Sequence, residues 1–283
     1  MKAIPIYRVV NMLVLVTCTS ALCSAAVPAL LPPSLASGYK MMYDLDFDHA
    51  HQVFLSWQQQ HPEDPLGPAS NAAGYLFSEL HRLGILEAQF YTDDKVFDAR
   101  KKMTPDTELK KQFDAALVLT EQRAHTQLEK DPKDSDSLFA LTLSSGLKAD
   151  YAALIEKRNM ASLGFTKEAS AHAQRLLAAD PNRYDAYIAT GIGKYIIGSM
   201  AAPVRWLLRV GGFAGDKNAG IEELKLTAQK GVYLGPFARI LLAIAYVRDK
   251  DKPRAREILT SLRNEFPNNP LFAREISRLD SGN

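Results

Sequence analysis

Three stretches of this sequence share one spacing of small, apolar and proline residues, and that spacing limits what the chain can fold into. Ala50, Phe54, Trp57 and Pro62 stand in the same register as Ala169, Ala173, Leu176 and Pro181, and again as Ala255, Leu259, Leu262 and Pro267. Residues at i, i+4 and i+7 share one face of a helix, and a proline five positions on ends that helix. The small residue at the head of the face lets a second helix come close. A helix pair built this way cannot bury its apolar side alone and must stack on neighbours. The expected fold class is therefore all-α: a helical-repeat solenoid of antiparallel helix pairs with inserted helices. Strand signals are weak throughout.

These residues resemble the second half of a tetratricopeptide repeat (TPR), a helix–turn–helix unit of about 34 residues. With Ala50 at position 20, position 1 falls at Leu31 and position 8, where the motif expects glycine, at Gly38. The last repeat fits best: it starts at Pro236 and places Leu242, Ala243 and Tyr246 at the signature positions of the first helix. Between the ends the period is broken in an orderly way. Position 1 falls at Ser135, Tyr184 and Pro236, which are steps of 49 and 52 residues. The first excess predicts a helix around Asp150–Asn159. The second predicts an insertion over Ser199–Gly215, then a delayed second helix from Asp216 as N-cap to Lys230, closed by Gly231 at the C′ position. Leu66–Phe90 and Thr107–Lys130 read as helices, with Thr120, Ala124 and Pro132 matching the signature in part. Leu271–Leu279 reads as a terminal capping helix. The run Gly212-Phe213-Ala214-Gly215-Asp216-Lys217, with Gly220, Leu224 and the repeat up to Phe266-Pro267, is similar to the C-terminal part of the divergent TPR family of inclusion-body clearance proteins. That resemblance implies a helical-repeat fold and no catalytic residues.

The N-terminus reads as a targeting segment. Lys2 and Arg8 precede an apolar run, Val9–Leu22, and Ser24-Ala25-Ala26 fits a cleavage site, so residues 1–26 are expected to be a signal peptide of an exported, periplasmic or secreted bacterial protein. The alternative is an uncleaved membrane anchor, for which the run is short of the about 20 apolar residues of a span. Neither Cys18 nor Cys23 follows the small residue that lipidation expects, and both cysteines of the chain lie in this segment. Residues 27–37, with Pro28, Pro32 and Pro33, read as an extended leader, and 38–280 as a single domain. The net charge of +2 comes from Lys2 and Arg8, since no acidic residue occurs in the first 26. The remaining chain is formally neutral, which argues against a nucleic-acid surface.

In such repeats the first helices line the concave side. Reading those positions gives Ala69, Phe139, Ile188 and Ile240, then Ala73, Leu143, Ile192 and Ile244, with Phe237 and Val247 added by the last repeat. TPR domains that clamp a terminal carboxylate place Lys and Asn there, and this chain has neither. Phe139, Leu143, Ile188, Ile192, Phe237, Ile240, Ile244 and Val247 are thus the candidate partner- or ligand-contact residues. Either inserted helices cover them as core, or the groove holds an apolar helix or lipid chain. Trp206, within Arg205-Trp206-Leu207-Leu208-Arg209, is a further candidate: the insertion either packs back on the solenoid or meets a membrane surface or partner.

Catalytic and metal patterns are weak. Asp44, Asp46, Asp48, His49 and His51 form the densest potential metal cluster, but His49 and His51 are i, i+2 on a helix and face apart, while the acids suit a helix N-terminus. Asp131–Asp136 lacks the glycine and glutamate of a calcium loop. His61, His81, His125 and His172 read as surface residues. Gly211–Gly215 has neither the spacing nor the βαβ setting of a dinucleotide site. No cofactor or metal is expected. The functional expectation is a non-enzymatic scaffold for protein partners, with a carrier or chaperone of a hydrophobic ligand as the alternative.

Overall fold

Six helices begin where an oxygen-bearing side chain accepts a hydrogen bond from the first turn, and four end just before a residue followed by proline. In the computed structural model, which describes residues 34–87, 104–210 and 215–281, twelve α-helices are seen among those residues and no strand. They are α1 (Leu35–Tyr43), α2 (Phe47–Gln60), α3 (Leu66–Arg82), α4 (Thr107–Lys130), α5 (Ser135–Asp150), α6 (Asn159–Ala179), α7 (Tyr187–Ser199), α8 (Ala202–Val210), α9 (Lys217–Lys230), α10 (Gly235–Arg248), α11 (Lys252–Glu265) and α12 (Pro270–Ser281). Ser34, Asp46, Asp106, Asp134, Asp216 and Asp251 supply the N-caps. Pro62, Pro132, Pro181 and Pro267 follow the ends of α2, α4, α6 and α11. Pro33–Asn283 forms one compact unit, and the targeting segment expected at residues 1–26 lies outside the described residues.

Packing follows chain order. α1 lies on α2, α3 on α4, α5 on α6, α7 on α9 and α10 on α11, and each pair packs on the next, with α12 closing the series. Small residues sit where paired helices meet. A Cβ on Gly38 of α1 would lie 2.4 Å from Phe54 Cε1 of α2, and one on Gly191 of α7 would lie 3.1 Å from the Gly220 carbonyl oxygen of α9. Ala50, Thr120, Ala169, Gly220 and Ala255, at one repeat position of the second helices, are all buried. The turns repeat as well. Leu45 and Lys250 stand at the same repeat position, both left-handed with φ of 65° and 62°. The following Asp46 and Asp251 N–H groups donate to Met41 and Tyr246 carbonyls at 2.9 and 2.8 Å.

Four expectations are corrected. The leader does not extend to Ser37: Ser34 caps α1, so residues 35–37 are its first turn. No separate helix occupies Asp150–Asn159. Instead α5 runs on through a π-helical turn, Tyr151–Ile155, and α6 starts at Asn159, so the extra residues lengthen both helices of the pair. α3 stops at Arg82, before Gly84 at φ 67°, and Phe90 lies outside the described residues. Gly231 does follow α9, but with φ −65° rather than a left-handed turn. A side chain there would meet the Thr227 carbonyl oxygen at 2.6 Å and Asp185 Oδ1 at 2.8 Å, so close approach explains the glycine.

Ser135–Ile155 is long and apolar enough to cross a membrane, but 72% of its apolar window is buried inside the fold. It packs on α3, α4 and α6, and its apolar character is that of a core helix.

Candidate functional site

The inner side of the first helices was the candidate surface, and aromatic residues of the chain itself meet there. Phe139 on α5 is fully buried. The Arg183 guanidinium lies 4.8 Å from its ring centroid, and Arg183 pairs with Asp136 at 2.7 Å. Tyr233, in the turn before α10, stacks 6.1 Å from Phe139 and 5.3 Å from Tyr39 of α1. The Tyr43 hydroxyl donates to the Tyr233 carbonyl at 3.0 Å. Phe77 of α3 meets Phe237 of α10 edge-on at 5.4 Å. First helices far apart in sequence therefore touch one another, and α1 lies among them.

Phe139, Leu143 and Ile188 are core residues. Ile192, Phe237, Ile240 and Val247 are partly buried and pack against that core, and Ile244 is partly buried too. Tyr233, which stacks on Phe139, and Tyr39 and Tyr43, which both meet Tyr233, are not singled out by the sequence reading. The i, i+4 tyrosine pair on α1 was the available signal. Burial pushes all three phenols above their ordinary range, so they stay neutral.

Two clefts open beside these elements. One, of about 200 Å³, is lined by Tyr39, Lys40, Tyr43, Tyr233, Arg239 and Glu265 among others. Arg239 is already engaged by Glu265 and by Ser261 Oγ at 3.2 Å. The other, of about 230 Å³, lies between the α2–α3 turn and α4 and includes Arg123, whose guanidinium donates to the Asp64 carbonyl at 3.1 Å.

Several titratable groups elsewhere have structural partners. Asp185, 2% exposed, accepts from the backbone N–H groups of Val232, Tyr233 and Leu234 at 2.9, 3.0 and 2.7 Å, tying the start of α7 to the α9–α10 turn. His51 Nδ1 is 2.5 Å from Asn71 Oδ1, and its ring lies 4.2 Å from Tyr75; burial lowers its pKa. Asp46 caps α2 and also bonds His49, as the capping reading of that acidic run expects. His172 is half-buried rather than a free surface residue, and burial lowers its pKa too. Among the described residues, no group of three His, Cys, Asp or Glu side chains is placed to hold a metal ion.

Trp206 is apart from all of this. It is 68% exposed, which favours the outward alternative for this side chain over packing back on the neighbouring helices. α8 rests lightly on α7, with Arg205 donating to the Gly198 carbonyl at 3.2 Å. The base of the insertion is tight: a Cβ on Gly198 would lie 2.3 Å from Lys217 N, and one on Gly215 would lie 2.5 Å from Gly198 N. Asp216 N donates to the Lys194 carbonyl at 3.1 Å across that base. The two ends of the excursion are thus fixed independently of its tip.

No protein-family model matches the sequence, and no curated protein is significantly similar to it.

Proposed function

We propose that this chain is an exported, TPR-like α-solenoid that acts as a non-enzymatic scaffold for protein partners in the periplasm or outside the cell. The observation carrying this reading is the recurrence of one helix-pair geometry at the predicted repeat phase. Gly38 against Phe54 and Gly191 against Gly220 are the same kind of contact, and Leu45 and Lys250 make the same turn. Stacked pairs of this type present long ridged surfaces with few demands on any one residue, which suits partner binding. The buried polar groups also fit a structural account, since Asp185 and Asn71 serve caps and helix contacts.

The carrier reading draws less support. Of its apolar residues, Phe139, Leu143 and Ile188 are buried in the core, and the two clefts described, of about 200 and 230 Å³, fall below the roughly 300–1,000 Å³ of small-molecule sites. Affinity purification of the exported protein with partner identification tests the scaffold; native mass spectrometry of the same sample tests the carrier. A reproducible protein partner and an empty monomer mass are expected. A co-purified lipid mass without protein partners refutes the scaffold. Export has its own check: intact-mass analysis of the fractionated protein is expected to find Val27 as the N-terminus, and a cytoplasmic chain beginning at Met1 refutes it.

A further inference from the structure

The insertion between α7 and α9 departs from the repeat and, among the described residues, holds out an apolar surface on a separate helix. Pro203, Trp206 and Val210 stand at i, i+3 and i+7 on α8, so they share one face. All three are exposed, Trp206 at 68% and Val210 at 71%, and Val204 adds 48% on the flank. Arg205 and Arg209 occupy the adjoining strip of the helix, and Arg209 is exposed. From Tyr195 to Gly215 the sequence contains these two arginines and no acidic residue. The side of α8 toward the protein is the Arg205–Leu208 side, where both residues are partly buried and Arg205 is bonded to Gly198.

We propose that α8 docks on the surface of an anionic lipid bilayer, with Trp206 and Val210 at the headgroup–acyl boundary and Arg209 on the lipid phosphates. An exposed indole beside an arginine on a short amphipathic helix matches the level at which Trp and Arg anchor in an interface. The local charge is complementary to acidic headgroups, although the chain as a whole is close to neutral. The clamped base explains how such a tip is tolerated, because Gly198 and Gly215 secure the repeat whatever covers the helix. A nine-residue helix gives weak, reversible and salt-sensitive binding, so this contact would orient the scaffold on a membrane rather than embed it. The inference stands apart from the scaffold reading and does not depend on who the protein partner is.

The test uses the full chain and reads the indole itself, because the apolar N-terminal stretch can bring the chain to vesicles without α8. The chain has two tryptophans, and Trp57 is half-buried with its indole N–H on Asp64 Oδ2, which makes it an internal reference. Vesicles of brominated phosphatidylcholine mixed with phosphatidylglycerol are expected to quench and blue-shift part of the emission, and Trp206→Phe is expected to remove that part. Arg209→Gln is expected to weaken partitioning about five-fold at low salt. An indole emission unchanged on vesicles that sediment with the protein would overturn the proposal. So would equal quenching on pure phosphatidylcholine, which removes the role of headgroup charge. Shielding of Trp206 by raised protein concentration without lipid would reassign the face to a second copy of the chain and also overturn it.

Discussion

Replacing Gly38 with alanine tests the central packing argument, because two opposite effects compete at one position. In an exposed helix, Gly→Ala stabilises by about 1 kcal/mol through backbone entropy. At Gly38 the new methyl would sit 2.4, 2.8 and 3.0 Å from three carbons of the Phe54 ring, where carbon contacts prefer about 3.5–4.0 Å. Phe54 is fully buried and its ring lies edge-on to Tyr39 at 5.5 Å, so it has little room to turn away. Either the ring or α1 must shift by about 1 Å, an overpacking cost of roughly 1–3 kcal/mol. The net expectation is destabilisation by about 1–2 kcal/mol, seen as a Tm lower by roughly 2–6 °C. Gly164→Ala is the matched control: it lies on an exposed part of α6 with nothing within 4 Å of the new Cβ, and its Tm is expected to rise. Adding Phe54→Leu to Gly38→Ala relieves the clash, so the double variant should be more stable than the two single losses predict, by about 1 kcal/mol. Thermal and urea melts followed by circular dichroism measure the wild type and all four variants, Phe54→Leu alone included. If Gly38→Ala melts above the wild type, as the control should, the close approach of α1 to Phe54 of α2 is not what holds this pair together.

Three further outcomes follow from particular residues. Asp185→Ala strands three backbone N–H groups in the α9–α10 turn and should cost roughly 3–5 kcal/mol in urea unfolding, with Asp185→Asn milder because its one oxygen still accepts. Burial pushes the Asp150 carboxyl up to about 7, so the folded chain keeps a proton there that the unfolded chain has already released. That contribution is complete below about pH 4 and is lost as pH rises through 7; because Asp150 is only half-buried, Asp150→Asn should gain about 1–2 kcal/mol over wild type at pH 8 and almost nothing at pH 4. Lys250→Gly relieves an exposed residue of its left-handed φ of 62° and should raise Tm slightly, whereas the same change at a right-handed helical position should lower it.

Local chemistry was legible in the sequence and distant contacts were not. Asp216 as a cap, the prolines after α2, α6 and α11, and the small residues at 50, 169 and 255 act through neighbours a few positions away, and each does what its type predicts. The long α5–α6 pair is not legible in the sequence because a π turn absorbs extra residues within a continuous helix, and the polar run Glu156-Lys157-Arg158-Asn159 after it looks like the end of a separate one. Ser34 was overlooked as a cap because the prolines before it suggested continued extension. The cover of the inner face was hidden for a different reason: Tyr43 meets Tyr233 across 190 positions, and no periodicity reports a pairing of that range. At α8 the amphipathic pattern was plain, but whether it turned inward or outward depended on the clamp between Gly198 and Gly215.

That long-range pairing changes what kind of stack this is. An open array of nearest-neighbour repeats loosens first at its ends, where one face of the terminal unit has no partner. Here the ends meet. The Tyr43 carbonyl accepts from Asn269 Nδ2 at 2.8 Å, Asp44 accepts from the Asn268 N–H at 2.9 Å, and Glu87 pairs with Arg278 at 2.8 Å. Phe266, in the turn after α11, lies 5.7 Å from Tyr43, so the polar bonds frame an apolar contact. The first helix thus closes against the last turns, which couples the stability of the two ends and lengthens the average loop that folding must close. With α1 among the first helices, their apolar side holds the chain together; on the scaffold proposal, a partner would therefore be met by the outward ridges of the pairs and by α8.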